Sequence, residues 1–398
     1  MEAVDQAFVT FKHWVLGYVD PMAQPWVSIL LSIIPILMVF PVLFGITTIL
    51  ERKGLGRMQN RLGPNRVGPF GFAQFVADGL KMLTKEDIVP RAADSILHFI
   101  APFVLLVPVL LAFSVLPYGR NMVPIDIDGG LLFFFAVGSA TELSVFMAGW
   151  SSRNKYSLLG AMRGIAQMIS YELPLVLSAL TVVMMVGSLR LTQIVDAQSA
   201  SLVGGLHAWH VFTPWGFAGF LLFLVAATAE SNRTPFDIPE AESEIIAGYL
   251  VEYSGFKYAL FFLGEYLGLF AVSALGITLF LGGWLPPFAV LGAVPSWLWF
   301  FFKLLAMIFF FIWIRGTLPR LRTDQLMAFA WKFMLPMTLI NILIAGLWRF
   351  SRDWQLPAGP FGVATRWIIC ALLLLAAYYF FGRALQPRLA KRTYRYAE

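Results

Sequence analysis

Four glutamates, Glu142, Glu172, Glu230 and Glu265, sit inside long hydrophobic runs of a 398-residue chain. A charged acid at the centre of a bilayer costs roughly 2.5–3.5 kcal/mol or more, so such residues face a protein interior and either pair with a base or serve a function. Desolvation disfavours their charged form, and proximity would couple their titrations. A linked set of half-protonated acids is what a proton path requires. The structural alternative is protonated Glu side chains hydrogen-bonded between helices. Glu142, in "ATELSVF" with only Thr141 and Ser144 as polar neighbours, fits that alternative best.

Two connections add to this inventory. "FDIPEAESEIIAGYLVEY", Phe236–Tyr253, carries Asp237, Glu240, Glu242, Glu244 and Glu252 and no base. Phe236, Ile238, Ile245 and Ile246 interleave with the acids, which predicts a packed loop over a solvated face. The other connection, "ERKGLGRMQNRLGPNRVGPFGFAQFVADGLKMLTKED", is basic. Its glycines and prolines argue against a continuous helix in the first half. In the second half Phe72, Phe75, Val76, Gly79, Leu80 and Leu83 share one helical face, with Gln74, Asp78, Lys81 and Lys85 opposite, which predicts an in-plane amphipathic helix. The loop's cations, among them Lys53, Arg57, Arg61 and Arg66, read either as topology signals on anionic lipid or as a docking surface or ligand mouth. Both fit the composition.

The elements that position these groups follow from bulk numbers. The chain is 59% hydrophobic and 13% charged, with mean hydropathy +0.75. That is the composition of an all-α integral membrane protein, not of a soluble domain. We read about nine transmembrane helices, roughly 26–50, 96–117, 131–151, 162–187, 215–233, 256–281, 297–316, 330–348 and 366–386. Lys332 and Pro336 make the eighth the weakest. The domain plan is an N-terminal segment (1–25), an eight-helix core (26–350) and an additional helix with a basic tail (351–398). The start of the chain does not read as a removable signal. Lys and Arg fall 22 to six between the two faces, which predicts the N-terminus outside and the C-terminus in the cytoplasm.

Counted from the cytoplasmic helix ends, Glu230 lies about 5 Å deep, and Glu142, Glu172 and Glu265 about 13–15 Å. Those three could therefore meet near the midplane. Arg163, nine residues before Glu172, points to the opposite face of their helix. The one cysteine, Cys370, excludes an internal disulfide or an iron–sulfur cluster held by four thiolates of this chain. His13, His98, His207 and His210 form no ligand pattern, so no metal is expected. Electrons for any redox chemistry must come from another subunit.

"ERKGLGRMQNRLGPNRVGPFGFAQFVADGLKMLTKED", "LLGAMRGIAQMISYELP", "AESNRTPFDIPEAESEIIAGYLVEYSGFKYALFFLGEY" and "RGTLPRLRTDQLM" resemble the H subunits of bacterial NADH–quinone oxidoreductase, respiratory complex I. The likeness runs from about residue 26 to residue 350. It implies a membrane subunit that forms the quinone chamber at the junction with the peripheral arm. Carried over by motif, Glu51, Arg52, Arg61 and Asp78 line the chamber or its mouth. Arg233 and Phe236 start the loop beside it, and Glu240, Glu242 and Glu244 lie along that loop. Glu172, Glu230 and Glu265 lead toward the membrane axis, with Glu142 added from the reading of the buried acids. The resemblance further implies quinone as substrate, with NADH, FMN and iron–sulfur clusters held by partner subunits. Peripheral-arm quinone-site subunits, antiporter-like membrane subunits and membrane lipid are the expected partners, and nucleic acid is not. Location in the bacterial inner membrane follows. The alternatives are a subunit of an energy-converting hydrogenase, an independent ion transporter, and a passive anchor for soluble subunits.

Overall fold

The computed structural model describes residues 5–200, 205–239, 246–351 and 360–385. The chain is helical and spans a membrane many times. Among the described residues eight helical segments are long and apolar enough to cross, and Pro214–Glu230 is a shorter apolar helix. In chain order the helices are α1 (Ala7–Gly17), α2 (Gln24–Met58), α3 (Gln74–Thr84), α4 (Ser95–Ala112), α5 (Gly130–Gly138) and α6 (Ala140–Ser151). They continue with α7 (Lys155–Val186), α8 (Leu191–Asp196), α9 (Pro214–Glu230), α10 (Gly255–Phe280) and α11 (Ser296–Thr317). The last three are α12 (Thr323–Phe329), α13 (Leu335–Phe350) and α14 (Pro360–Leu385). A helix stands at each of the nine expected spans, eight of them long enough to cross, and α1 is an addition within the N-terminal segment.

Three boundaries differ from the sequence reading for identifiable reasons. Helix α2 continues to Met58, so Gly54 and Gly56 are helical. Gly56 is there for close approach: a Cβ would lie 3.0 Å from the Arg61 carbonyl oxygen and 3.1 Å from the Gly63 nitrogen of the returning loop. The third span is interrupted at Ser139, between α5 and α6. The eighth begins at Thr323, and a π-helical turn at Ala330–Met334 precedes Pro336, which has no N–H to donate.

Helix α10 is the hub, packing against α4, α11, α9 and α2. Around it α7 lies against α9, α6 and α13, and α14 covers α13 and α9. The core is aromatic-rich, with Phe40 stacked on Phe113 at 3.9 Å and Phe223 tilted on Phe280 at 5.7 Å. The expected in-plane helix is α3, held where Phe75 enters the notch at Gly45; a Cβ there would be 2.6 Å from its ring. Phe72, Val76, Leu80 and Leu83 are exposed, which suits a helix lying in the interface.

Buried Lys303, on α11, closes the far end of α10. Its ammonium donates to the carbonyls of Leu281 at 2.6 Å, Gly283 at 2.9 Å and Leu285 at 2.7 Å. It also sits 4.2 Å from the Trp209 ring centre. Three donors meet three carbonyls of the turn that follows α10, which satisfies buried backbone acceptors and lets a cation lie inside the bundle. Replacing Lys303 with Met strands those carbonyls, and we expect a loss of at least about 2 kcal/mol. The check is a thermal melt of the purified protein assembly, in which Lys303→Met should unfold well below wild type.

Candidate functional site

Helix α9 is only 17 residues long and ends at Glu230 inside the bundle. The chain beyond it stays buried through Ser231, Asn232, Arg233, Phe236, Asp237 and Ile238. Gln167 on α7 holds this stretch, donating to the carbonyls of Phe236 at 2.6 Å and Ala229 at 2.8 Å and to Asn232 Oδ1 at 3.2 Å. The acidic connection therefore starts within the membrane domain.

One ionic group forms around Glu51. Its Oε1 accepts a hydrogen bond from Arg315 on α11 and lies 3.5 Å from Arg233 Nη1. Its Oε2 accepts from the Tyr266 hydroxyl at 2.5 Å. Arg233 stacks over the Tyr266 ring at 4.0 Å and places its Nε 3.6 Å from Glu265 Oε1. Two carboxylates thus meet two guanidiniums. Beside them Asp237 pairs with Arg320 at 2.7 Å. Burial pushes the Asp237 carboxyl above the usual aspartate range, with Arg320 pulling the other way.

A second group has acids and no base among the partners found for it. Glu142 and Glu172 lie close enough to act on each other, and Glu230 is within electrostatic range of both. Ser139 donates to Glu172 Oε1 at 2.7 Å, and the same hydroxyl bonds Phe135 at the α5–α6 interruption. Glu142 Oε1 and Glu230 Oε2 are buried with no hydrogen-bond partner among the described residues.

A cavity of about 80 Å³ joins the two groups, with Glu265 and Glu230 both in its lining beside Thr141, Ser231, Asn232 and Tyr249. One water needs roughly 10–15 Å³ by this measure, so several fit, and orphaned carboxyl oxygens give them acceptors.

The grouping differs from the depth count. Glu230 lies within electrostatic range of Glu142 and Glu172, whereas Glu265 pairs with Arg233. The count assumed that α9 reaches the surface, and it does not. Glu142, the acid that best fitted a purely structural role, faces two other carboxyls. The expected chamber residues separate. Glu51 and Arg233 turn inward to Glu265. Arg52, half-exposed, pairs with Asp78 of α3 at 2.6 Å, and Arg61 is exposed and bonds Gln59 at 2.7 Å. Phe236 is buried against Tyr171, 5.2 Å between ring centres, so it packs the core. Ile238 is buried as a packed loop requires, but Ile246 is 74% exposed and corrects that part of the expectation. Glu240, Glu242, Glu244 and Ile245 lie outside the described residues. Sequence reasoning missed Tyr266 and Arg315: the first adjoins Glu265, and the second was counted only as a topology cation.

Residues 31–346 match the family described as NADH dehydrogenase. A relative in Dehalococcoides mccartyi, the H subunit of an NADH-quinone oxidoreductase, is 46% identical over 91% of this chain and 98% of its own length. Proteins of the same name in Geobacillus kaustophilus and an Acidovorax species are 52% identical over 75% of this chain and 86% of theirs, and 43% identical over 86% and 95%.

The two carboxylate groups should respond oppositely to neutralisation. Glu51→Gln leaves buried Arg233 and the partly exposed Arg315 without their shared acceptor, a change worth about 3 kcal/mol. Glu230→Gln removes an acid that has no base among the described residues and should leave stability unchanged or improved. Thermal denaturation of the purified assembly checks the contrast, which requires the Glu51 variant to melt far below the Glu230 variant.

Proposed function

Because the chain belongs to the NADH dehydrogenase family, among the H subunits of NADH–quinone oxidoreductase, we propose that it carries the membrane wall of the quinone chamber and links that chamber to proton translocation. It is a multi-pass bacterial membrane component of an oxidoreductase complex. The observation that carries the proposal is the cavity that Glu265 and Glu230 share.

On this reading the quinone enters near the Arg52–Asp78 pair, where α2 meets α3. Exposed Phe72, Val76, Leu80 and Leu83 offer an apolar approach from lipid. Quinone reduction takes two electrons and two protons. NADH, FMN and iron–sulfur clusters in partner subunits supply the electrons. The headgroup lies toward Glu51 and Arg233, with Arg61, Glu240, Glu242 and Glu244 beside the mouth. Negative charge arriving there perturbs the balance among Glu51, Arg233, Arg315 and Glu265. Glu265 relays the change across the cavity to Glu230, Glu142 and Glu172. That group answers by taking up or releasing a proton, since several acids without a base cannot all ionise together.

The acidic connection then faces the cytoplasm, the N-terminus the periplasm and the C-terminus the cytoplasm. The antiporter-like partners adjoin the Glu172 end. The names of the relatives support a quinone over a hydrogenase partner.

In the assembled complex, Glu230→Gln and Glu265→Gln should each lower coupled NADH:quinone activity by about tenfold or more, as expected of proton-handling groups. Amounts of assembled complex should stay normal. The measurement is proton uptake by inverted membrane vesicles beside NADH oxidation; wild-type rates in both variants would refute the proposal. The chain reconstituted alone should carry no protons.

A further inference from the structure

His98, in the first turn of α4, is fully buried and stacks face to face on Tyr253, 4.0 Å between centres and 2° between planes. Among the described residues its ring nitrogens make no well-formed hydrogen bond, and the Glu252 backbone lies beside them. The ring meets Tyr253 through its shape, by stacking. What it holds is the turn Gly248–Tyr253, whose Tyr249 lines the carboxylate cavity.

Further contacts on that turn also fasten it. Gly160 on α7 meets Gly248 backbone to backbone, where a Cβ would be 2.6 Å from the Gly248 Cα. Ser157 donates to the Tyr249 carbonyl at 3.3 Å, and Asn154 to Glu252 at 2.7 Å. Phe261 packs edge-on to both Tyr249 and Tyr253. The Tyr253 hydroxyl lies 3.3 Å from Ser151 Oγ. Burial pushes the Tyr253 phenol up to about 12, so it stays neutral.

We infer that His98 is a positioning residue whose stack on Tyr253 latches the Gly248–Tyr253 turn as the cytoplasmic wall of the cavity between Glu265 and Glu230. The inference rests on the proton route proposed above. With the wall shut, protons reach Glu230 along the chain of acids. With it open, cytoplasmic water exchanges protons with Glu230 directly, and quinone reduction proceeds without matching translocation. The wall opens as a local unit, by release of one turn.

The test uses the whole complex in liposomes, scoring protons moved per NADH oxidised together with hydrogen exchange over residues 247–254. Losing the stack raises the open population on the order of tenfold. His98→Ala should therefore lower the proton-to-NADH ratio by about twofold or more, with NADH:quinone rates kept and faster exchange in the turn. His98→Phe, which keeps a stacked ring and no ionisable group, should restore both. Gly160→Ala, which pushes the turn from the other side, should repeat the alanine effect and stands in if His98→Ala fails to assemble. Equal ratios in His98→Ala and His98→Phe, or wild-type exchange and ratio in Gly160→Ala, would overturn the latch. Failure of the underlying route is told apart by Glu230→Gln, which would then translocate normally.

Discussion

Burying an ionised carboxylate without a partner is so unfavourable that each acid in this bundle must be matched by a base or share protons with its neighbours. The molecule uses both solutions side by side. Glu51 and Glu265 are matched by Arg233 and Arg315, and the Tyr266 hydroxyl completes the Glu51 shell. Glu142, Glu172 and Glu230 have one another and a serine. The first arrangement fixes charge in place. The second has no such fixed countercharge among the described residues. Only a small cavity separates them, and in a low-dielectric interior the charge of one group acts on the other with little bulk-solvent screening.

That juxtaposition depends on helix lengths. A ninth helix of full span would carry Glu230 to the surface and its connection into water. Because α9 stops at 17 residues, the next nine residues fold inside, and Ser231 and Asn232 become cavity wall. The buried backbone this creates is paired by Gln167, which reaches three acceptors from α7. At the opposite end, Lys303 performs the same service for α10 with an ammonium. Both long polar side chains let the backbone leave helical geometry within the bundle, which a membrane otherwise forbids.

Much of this was legible in the residues. Hydropathy located the nine spans, and period-3.6 patterning located α3 from Phe72, Phe75, Val76 and Leu80. The acids were visible as anomalies in apolar runs. Their grouping was not, because depth counting treats every helix as reaching the surface. Arg315 shows a second limit: a cation at a helix end has the same one-dimensional signature whether it faces lipid headgroups or a carboxylate 264 positions away. Gly56 shows a third. Glycine lowers helix propensity, so it read as loop, yet tertiary approach of the Arg61–Gly63 backbone makes it the residue that fits inside the helix.

Glu230 and Arg233 are three residues apart and belong to different charge groups. The four-residue stretch that carries them supplies cavity wall with its middle pair and continues directly into the acidic connection. The stretch touches both groups: Arg233 lies against Glu51 and Glu265, and Glu230 within electrostatic range of Glu142 and Glu172. Asp237, tied to Arg320 at 2.7 Å, fastens this stretch to the segment that follows α11, the helix of Arg315. One short covalent segment thus supplies a member of the ionic group, a member of the acid group and the start of the loop. Coupling along the proposed route therefore needs no long-range wire, since this short piece of chain borders both groups.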